Sequence, residues 1–139
     1  MSDVSPSFQI AKTAFEFLVG AGFSLVKERD SGDDTRSGWE LTYSSTQRVT
    51  VWIAYSDWQL DVDFYRGPER VSYFDIDREL YARRSGYHGN MFTPDKLRDP
   101  IETVARDIRL HYATILSGAP DAWEQAIRRT RDRPKPRLP

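Results

Sequence analysis

Two closely spaced carboxylates are the residues in this sequence that come nearest to a chemical motif. Asp61 and Asp63 lie two residues apart in the segment DWQLDVDFY, where polar and apolar side chains alternate. On a β-strand this spacing directs both carboxylates to one face, with Cα atoms about 6.5 to 7 Å apart. Such a pair could clamp a metal ion or act as an acid and a base. The alternative interpretation is the solvated face of a sheet.

The neighbouring strands help to decide between these interpretations. The segments WELTY, RVTVWIAY and WQLDVDFY each alternate with a period of two, which predicts an antiparallel meander with one buried face. A turn at Ser56 and Asp57 would place apolar residues opposite apolar residues throughout the second hairpin. The predicted pairs are Tyr55 with Trp58, Ile53 with Leu60, Val51 with Val62, and Val49 with Phe64.

The other face of the predicted sheet is unsuited to a metal ion. A hard cation requires about six oxygen ligands, whereas the expected neighbours of the two aspartates include Trp52 and a cation, Arg48. Arg48 would neutralise a carboxylate rather than complete a metal site. The sequence therefore predicts no metal, no cofactor and no catalytic residue on this face.

Trp52 is the unexpected residue on a face that is otherwise polar. Either a loop or the C-terminal tail packs over the indole, or Trp52 anchors a binding partner, since tryptophan is enriched in interface hot spots. An acidic surface around Trp52 would prefer a basic protein partner. The residues assigned to this predicted partner-binding surface are Glu40, Arg48, Thr50, Trp52, Asp61 and Asp63.

A second candidate site is the glycine-containing segment GYHGNMFT. It carries Tyr87, His88 and Asn90, and a histidine in such a loop can act as a base or as a ligand. The sequence places no serine, cysteine or acid as a partner for His88. This segment supports the alternative hypothesis, a small enzyme or ligand-binding domain, which requires a pocket beside residues 85–93.

Helical patterns flank the predicted sheet on both sides. Apolar residues at Ala11, Phe15 and Leu18 predict an N-terminal helix, while Asp99 followed by Pro100 is typical of a helix start. Another helix is expected to begin at Pro120. The predicted fold is α+β: an N-terminal helix, an antiparallel meander sheet of about five strands, and C-terminal helices that cover one sheet face.

Length and composition indicate a single domain in a reducing compartment. The chain has 139 residues, a net charge of −1 and no cysteine, which favours the cytoplasm over an oxidising environment. We expect one domain over residues 1–130, followed by a disordered basic tail rich in proline and arginine over residues 131–139. The N-terminus lacks the pattern of a signal peptide, and no apolar run is long enough to span a membrane.

Nucleic-acid binding is not predicted, because the aromatic residues of the strands alternate with acids rather than arginines. The sequence leaves the oligomeric state open. It also lacks phosphate-binding glycine loops and the common hydrolase and zinc motifs.

The order of three segments resembles that of small bacterial immunity-type proteins, which accompany polymorphic or contact-dependent toxins. The segments are FEFLVGAGFSLV, VTVWIAYSDWQLDVDF and YFDIDREL, and the likeness covers roughly residues 8–117. It implies a non-enzymatic cytoplasmic protein that binds and neutralises a cognate toxin, with a basic toxin domain as the partner. It assigns no functional residues.

Overall fold

A five-stranded antiparallel sheet forms the centre of the molecule in a computed structural model that describes residues 5–32, 37–76 and 78–131. The strand order follows the chain, so each strand pairs with its sequence neighbour in a meander. Residues 132–139, most of the predicted tail, lie outside the described residues. The strands are β1 (Phe23–Asp30), β2 (Trp39–Ser45), β3 (Val49–Ser56), β4 (Gln59–Arg66) and β5 (Glu69–Ser72).

Helices precede and follow this sheet. The predicted α+β fold is therefore confirmed, with an N-terminal helix, a five-strand meander and C-terminal helices. The expected first helix is divided into two, and a short 3₁₀ turn at Pro94–Lys96 precedes the longest helix. The helices are α1 (Pro6–Ala14), α2 (Phe17–Gly20), α3 (Tyr73–Ile76), α4 (Arg78–Ser85), α5 (Arg98–His111), α6 (Ala113–Leu116) and α7 (Pro120–Arg131).

Period-two alternation gives the sheet one buried and one partly exposed face. On β2, Trp39, Leu41 and Tyr43 are buried, whereas Glu40 and Thr42 between them keep contact with solvent. The buried side chains of the helices belong to the same core as these inner-face residues. Burial of each large apolar side chain contributes about 1.5 to 3 kcal/mol to the free energy of folding. We call the other face of the sheet, which bears Glu40 and Thr42, the outer face.

The register of the β3–β4 hairpin differs from the sequence prediction. Tyr55 pairs with Leu60 rather than with Trp58, and the turn consists of Asp57 and Trp58. Both turn residues have positive φ, +50° and +65°, as the tight hairpin turns that match strand twist require. Aspartate tolerates this left-handed conformation, whereas tryptophan adopts it at a cost, so turn propensity alone does not account for the observed turn. Because the shift is even, the residues that pair in both registers keep their predicted faces, whereas Trp58 moves from the core face into the turn.

Serines at the start of α1 fasten this helix to the sheet. The Ser5 backbone N–H and Oγ donate to the two carboxylate oxygens of Asp30 on β1, both at 2.8 Å. Trp39 Nε1 on β2 donates to Ser7 Oγ at 2.7 Å. Neither serine caps α1 with its own side chain, so their role is tertiary rather than local.

A buried polar cluster joins α3, α4 and α5. Asp107 on α5 is only 7% exposed and accepts hydrogen bonds from Tyr73 Oη at 2.8 Å and Arg84 Nη1 at 3.0 Å. Burial and the contact with Asp107 raise the pKa of Tyr73, so its hydroxyl stays a donor. This carboxylate therefore ties three helices together.

We expect Asp107→Ala to lower the free energy of unfolding by about 2 to 4 kcal/mol, because it leaves Tyr73 and Arg84 without their buried acceptor. Urea unfolding followed by circular dichroism measures the loss. Glu124→Ala is the control, since Glu124 lies on the exposed surface of α7, where it pairs with Arg128. Its effect should stay within about 0.5 kcal/mol. Equal, small losses in both variants would contradict the structural role of Asp107.

Candidate partner-binding surface

The structure places most of the predicted partner-binding residues together on the outer face. Trp52 lies on the central strand β3, paired with Thr42 of β2 on one side and Asp63 of β4 on the other. It is partly exposed. Arg48 is a correction, because it lies in the turn before β3 with a φ of +65° and is not part of the face. The strand begins only at Val49, so the predicted alternation does not extend to Arg48.

Trp52 is held in place by a charged network. Its indole Nε1 donates to Glu40 Oε2 at 3.3 Å, and the other oxygen of Glu40 lies 3.2 Å from Lys27 Nζ and 3.8 Å from Arg29 Nε. Burial alone would raise the pKa of Glu40. The hydrogen bonds from Lys27 and Trp52 and the two nearby cations outweigh burial and hold that pKa below its ordinary value. Glu40 is thus a neutralised anion that orients the indole.

Asp63 is a buried carboxylate on a face whose polar residues are mostly partly exposed. Its side chain is 3% exposed and accepts two hydrogen bonds from the Arg70 guanidinium, at 3.0 Å from Nε and 2.8 Å from Nη2. Arg70 on β5 therefore takes the neutralising role that the sequence assigned to Arg48. With Lys27 and Arg29 beside Glu40, the centre of the outer face is close to neutral rather than acidic.

Asp61 is the carboxylate of the outer face that forms no ion pair with the described residues. It accepts hydrogen bonds from the amides of Gln59 at 3.0 Å and Asn90 at 3.2 Å, and within the described ranges no cation lies within 4.0 Å of it. Burial raises the pKa of Asp61, and the charge of Asp63 adds to this effect. Together they outweigh the hydrogen bonds from Gln59 and Asn90 and the charge of Arg70, which lower the pKa. Asp61 is thus a half-buried negative charge on the same face as Trp52, and none of the described cations forms an ion pair with it.

We expect Asp61→Asn to raise the free energy of unfolding at pH 7. Because the pKa of Asp61 is higher in the folded state, its carboxyl favours folding below the unfolded-state pKa, and this contribution is lost as pH rises through the folded-state pKa. Asparagine avoids the loss and still accepts hydrogen bonds.

The gain should therefore shrink when thermal unfolding is repeated at progressively lower pH, down to about the ordinary aspartate pKa near 4. Glu124→Gln, which removes an exposed charge on α7, serves as the control and should change stability little at any pH. An Asp61→Asn variant less stable than wild type at pH 7 would contradict the desolvation argument.

The second predicted site, which we call the His88 loop and define as residues 86–92, docks against β4. The Leu60 N–H donates to Asn90 O at 2.9 Å, and the Phe92 N–H donates to Trp58 O at 2.8 Å. An isolated antiparallel bridge joins Gln59 to Met91. The loop therefore continues the sheet beside the first residues of β4, where β5 makes no pairs.

Asn90 lies in one of the two predicted sites and contacts the other. Its amide donates both to Leu60 O at 2.8 Å and to Asp61 Oδ1 at 3.2 Å. The His88 loop is thereby fixed to the carboxylate of the outer face that forms no ion pair with the described residues. The two candidate sites form one continuous surface.

The sequence prediction misses two exposed apolar residues at the end of this surface. Trp58 was expected on the core face opposite Tyr55, but it lies in the hairpin turn and is 49% exposed. Met91 forms a backbone bridge with Gln59, the residue that follows Trp58, and is 61% exposed. We call Trp58 and Met91 the hairpin tip. No feature of the sequence pointed to this placement, because tryptophan is a bulky residue that is unsuited to a left-handed turn position, where glycine is preferred.

We expect Trp58→Gly to leave the free energy of unfolding unchanged or to raise it by about 0.5 kcal/mol. Glycine removes the left-handed strain at φ +65°, which costs about 1 to 2 kcal/mol, and this gain exceeds its larger loss of chain entropy. Trp52→Gly is the matched control and should lose more than about 1 kcal/mol, because Trp52 lies within a strand and is partly buried. Urea unfolding compares the two, and a clear loss in Trp58→Gly would show that Trp58 stabilises the fold.

A cleft of about 780 Å³ opens beside the His88 loop and extends to α5. The hydroxyl of Tyr87 donates to Asp99 at its edge, and this contact raises the pKa of Tyr87 to about 12. Tyr87 therefore stays protonated and is a donor, not a base. His88 is exposed, and the described part of the chain gives its side chain no hydrogen-bond or ion-pair partner. The cleft exists as the ligand hypothesis requires, but the residues lining it do not form an assembled acid and base pair.

Among the described residues, no group of three or more histidine, aspartate and glutamate side chains is arranged to hold a metal ion. Within the same residues, none of the helices has both the length and the apolar character needed to cross a bilayer. Comparison of the chain with family models, with curated proteins and with solved structures yields no match.

Proposed function

We propose that this chain is a non-enzymatic protein-binding module that contacts its partner through the outer face around Trp52 and Asp61. The observation that carries the proposal is the pairing of a partly exposed, hydrogen-bonded tryptophan with a half-buried carboxylate that no cation of the described chain contacts. The half-buried carboxylate costs stability in the free protein, because burial disfavours its charged form. A partner that supplies a cation would offset this cost and, by covering the indole, would bury further apolar area.

The surroundings of Trp52 are suited to such a contact. The indole is oriented by Glu40, which is itself fixed by Lys27 and Arg29, so little side-chain freedom remains to be lost on binding. Large aromatic side chains held in this way are typical hot spots. The unneutralised charge of Asp61 would then favour a partner with a lysine or arginine at the matching position.

The resemblance to immunity-type proteins supplies the specific form of this proposal: a cytoplasmic bacterial protein that neutralises a cognate toxin with a basic contact surface. In that form, the chain covers the surface by which the toxin acts. Arg48, at the turn before β3, is left out of the contact, whereas Glu40, Thr50, Trp52, Asp61 and Asp63 remain in it.

The enzymatic alternative at the His88 loop has the cleft in its favour, but its polar groups are already engaged. Asn90 binds Leu60 and Asp61, and Tyr87 binds Asp99. Their placement supports a structural role for the loop in completing the binding surface.

Affinity capture from a bacterial lysate, followed by calorimetry with the purified captured protein, tests the proposal. We expect Trp52→Ala and Asp61→Lys each to weaken binding by about 1 to 3 kcal/mol, because each removes a contact at the centre of the interface. Circular dichroism should show that both variants remain folded. The toxin-inhibitor form further predicts that the captured protein loses its toxic activity when wild type is added in equal amount.

Glu124→Lys is the control for a charge reversal on the opposite side of the domain, at an exposed position of α7. It should bind as wild type does. If the captured protein binds Trp52→Ala and Asp61→Lys as tightly as wild type, the outer face is not the contact surface and the proposal fails.

A further inference from the structure

The hairpin tip combines backbone strain with exposed apolar area. Asp57 and Trp58 both have positive φ, and Trp58 occupies the second position of the turn, where glycine is usual. Trp58 and Met91 are 49% and 61% exposed, and Met91 bridges to Gln59, the residue that follows Trp58. Strain retained together with exposed apolar side chains is a pattern found at functional sites rather than at neutral surface positions.

The tip is continuous with the cleft beside the His88 loop. Phe92 donates its backbone N–H to Trp58 O at 2.8 Å, and both Met91 and Phe92 line the cleft. Inside the cleft, the rings of Tyr87 and Phe92 meet edge to face with centroids 5.1 Å apart. An apolar ridge at the tip thus leads directly into a cleft with an aromatic wall.

The charges around the cleft favour a cationic occupant. Asp95, Asp99 and Glu102 line it against Lys96 and Arg98, an excess of one carboxylate. Asp57 in the turn and Asp61 beside Asn90 add two more negative charges at the tip. Aromatic rings and carboxylates together attract lysine and arginine side chains, through cation–π contacts and ion pairs.

We infer that the hairpin tip and the cleft form the docking site for an extended basic segment of a protein partner. Trp58 and Met91 cover an apolar side chain of the segment, and a neighbouring lysine or arginine side chain enters the cleft beside Tyr87. A segment, rather than a small molecule, fits because the exposed apolar area continues from Met91 in the cleft to Trp58, which is not among the residues that line it. The inference rests on the proposed function as a binding module and adds a second contact region at one end of the outer face.

Two short peptides serve as probes, N-acetyl-Leu-Lys-Leu-Lys-Leu-amide and its counterpart with glutamate in place of lysine. They are titrated into the ¹⁵N-labelled full chain and followed by NMR. We expect the basic peptide to shift the Trp58 indole signal and the backbone signals of residues 87–92. The Trp52 indole should move less, and the dissociation constant for the acidic peptide should be at least tenfold higher.

Variants distinguish an effect on peptide binding from an effect on folding. Trp58→Gly should raise the dissociation constant of the basic peptide at least tenfold without lowering the melting temperature, since glycine suits the turn. Glu102→Lys, on the exposed surface of α5 at the cleft, should also weaken binding of the basic peptide, whereas Glu124→Lys should leave that binding unchanged. Equal binding of the two peptides, or unchanged binding by Trp58→Gly, would overturn the inference. So would N-acetyl-lysine-amide binding as tightly as the pentapeptide, because the cleft would then hold a small cation without the tip.

Measurements with the captured partner distinguish this inference from the proposed function. If Trp52→Ala weakens binding but Trp58→Gly does not, the hairpin tip is not a contact region and the proposed outer-face contact is supported. If only Trp58→Gly weakens binding, the docking site at the tip is supported and the outer-face contact is rejected. Unchanged binding by both variants would reject both.

Discussion

The pairing of β3 with β4 is the constraint on which the rest of the structure depends. These two strands lie at the centre of the sheet, and their register places Trp52 opposite Asp63, Tyr55 opposite Leu60, and Trp58 in the turn. The first residues of β4 pair with β3 on one side and receive the His88 loop on the other, where β5 makes no pairs. A tight turn with both central residues at positive φ maintains it. The candidate surface and the core thus follow from one hairpin.

The core-side tyrosines show how the same hairpin positions the later part of the chain. Tyr55 on β3 donates its hydroxyl to Phe92 O at 2.6 Å, and Tyr81 on α4 donates to Gly89 O at 2.7 Å. Both rings are buried while their hydroxyls reach the backbone of the His88 loop. A buried tyrosine is stable when its hydroxyl finds such an acceptor. The loop is therefore held by core residues from two elements as well as by Asn90.

Two local features of the outer face and the hairpin tip are unfavourable for stability, and they lie close to each other. Glu40 and Asp63 have cationic partners, whereas Asp61 has amides alone and Trp58 retains a strained backbone. In natural proteins most residues favour the native fold. Residues that disfavour it are therefore often found where function requires them. Asn90 and Gln59 both donate hydrogen bonds to Asp61, and Gln59, which follows Trp58, also forms the bridge to Met91.

The sequence by itself determined the fold class and the face taken by each strand residue, because alternation has a period of two and survives any even shift of register. It could not determine which residues meet across the hairpin, since that depended on the turn at Asp57 and Trp58. Nor could it show that Arg70 rather than Arg48 neutralises Asp63, or that Asn90 reaches Asp61 across 29 positions. Those contacts join separate segments, so only the tertiary structure brought the two candidate sites into one surface and moved Trp58 out of the core.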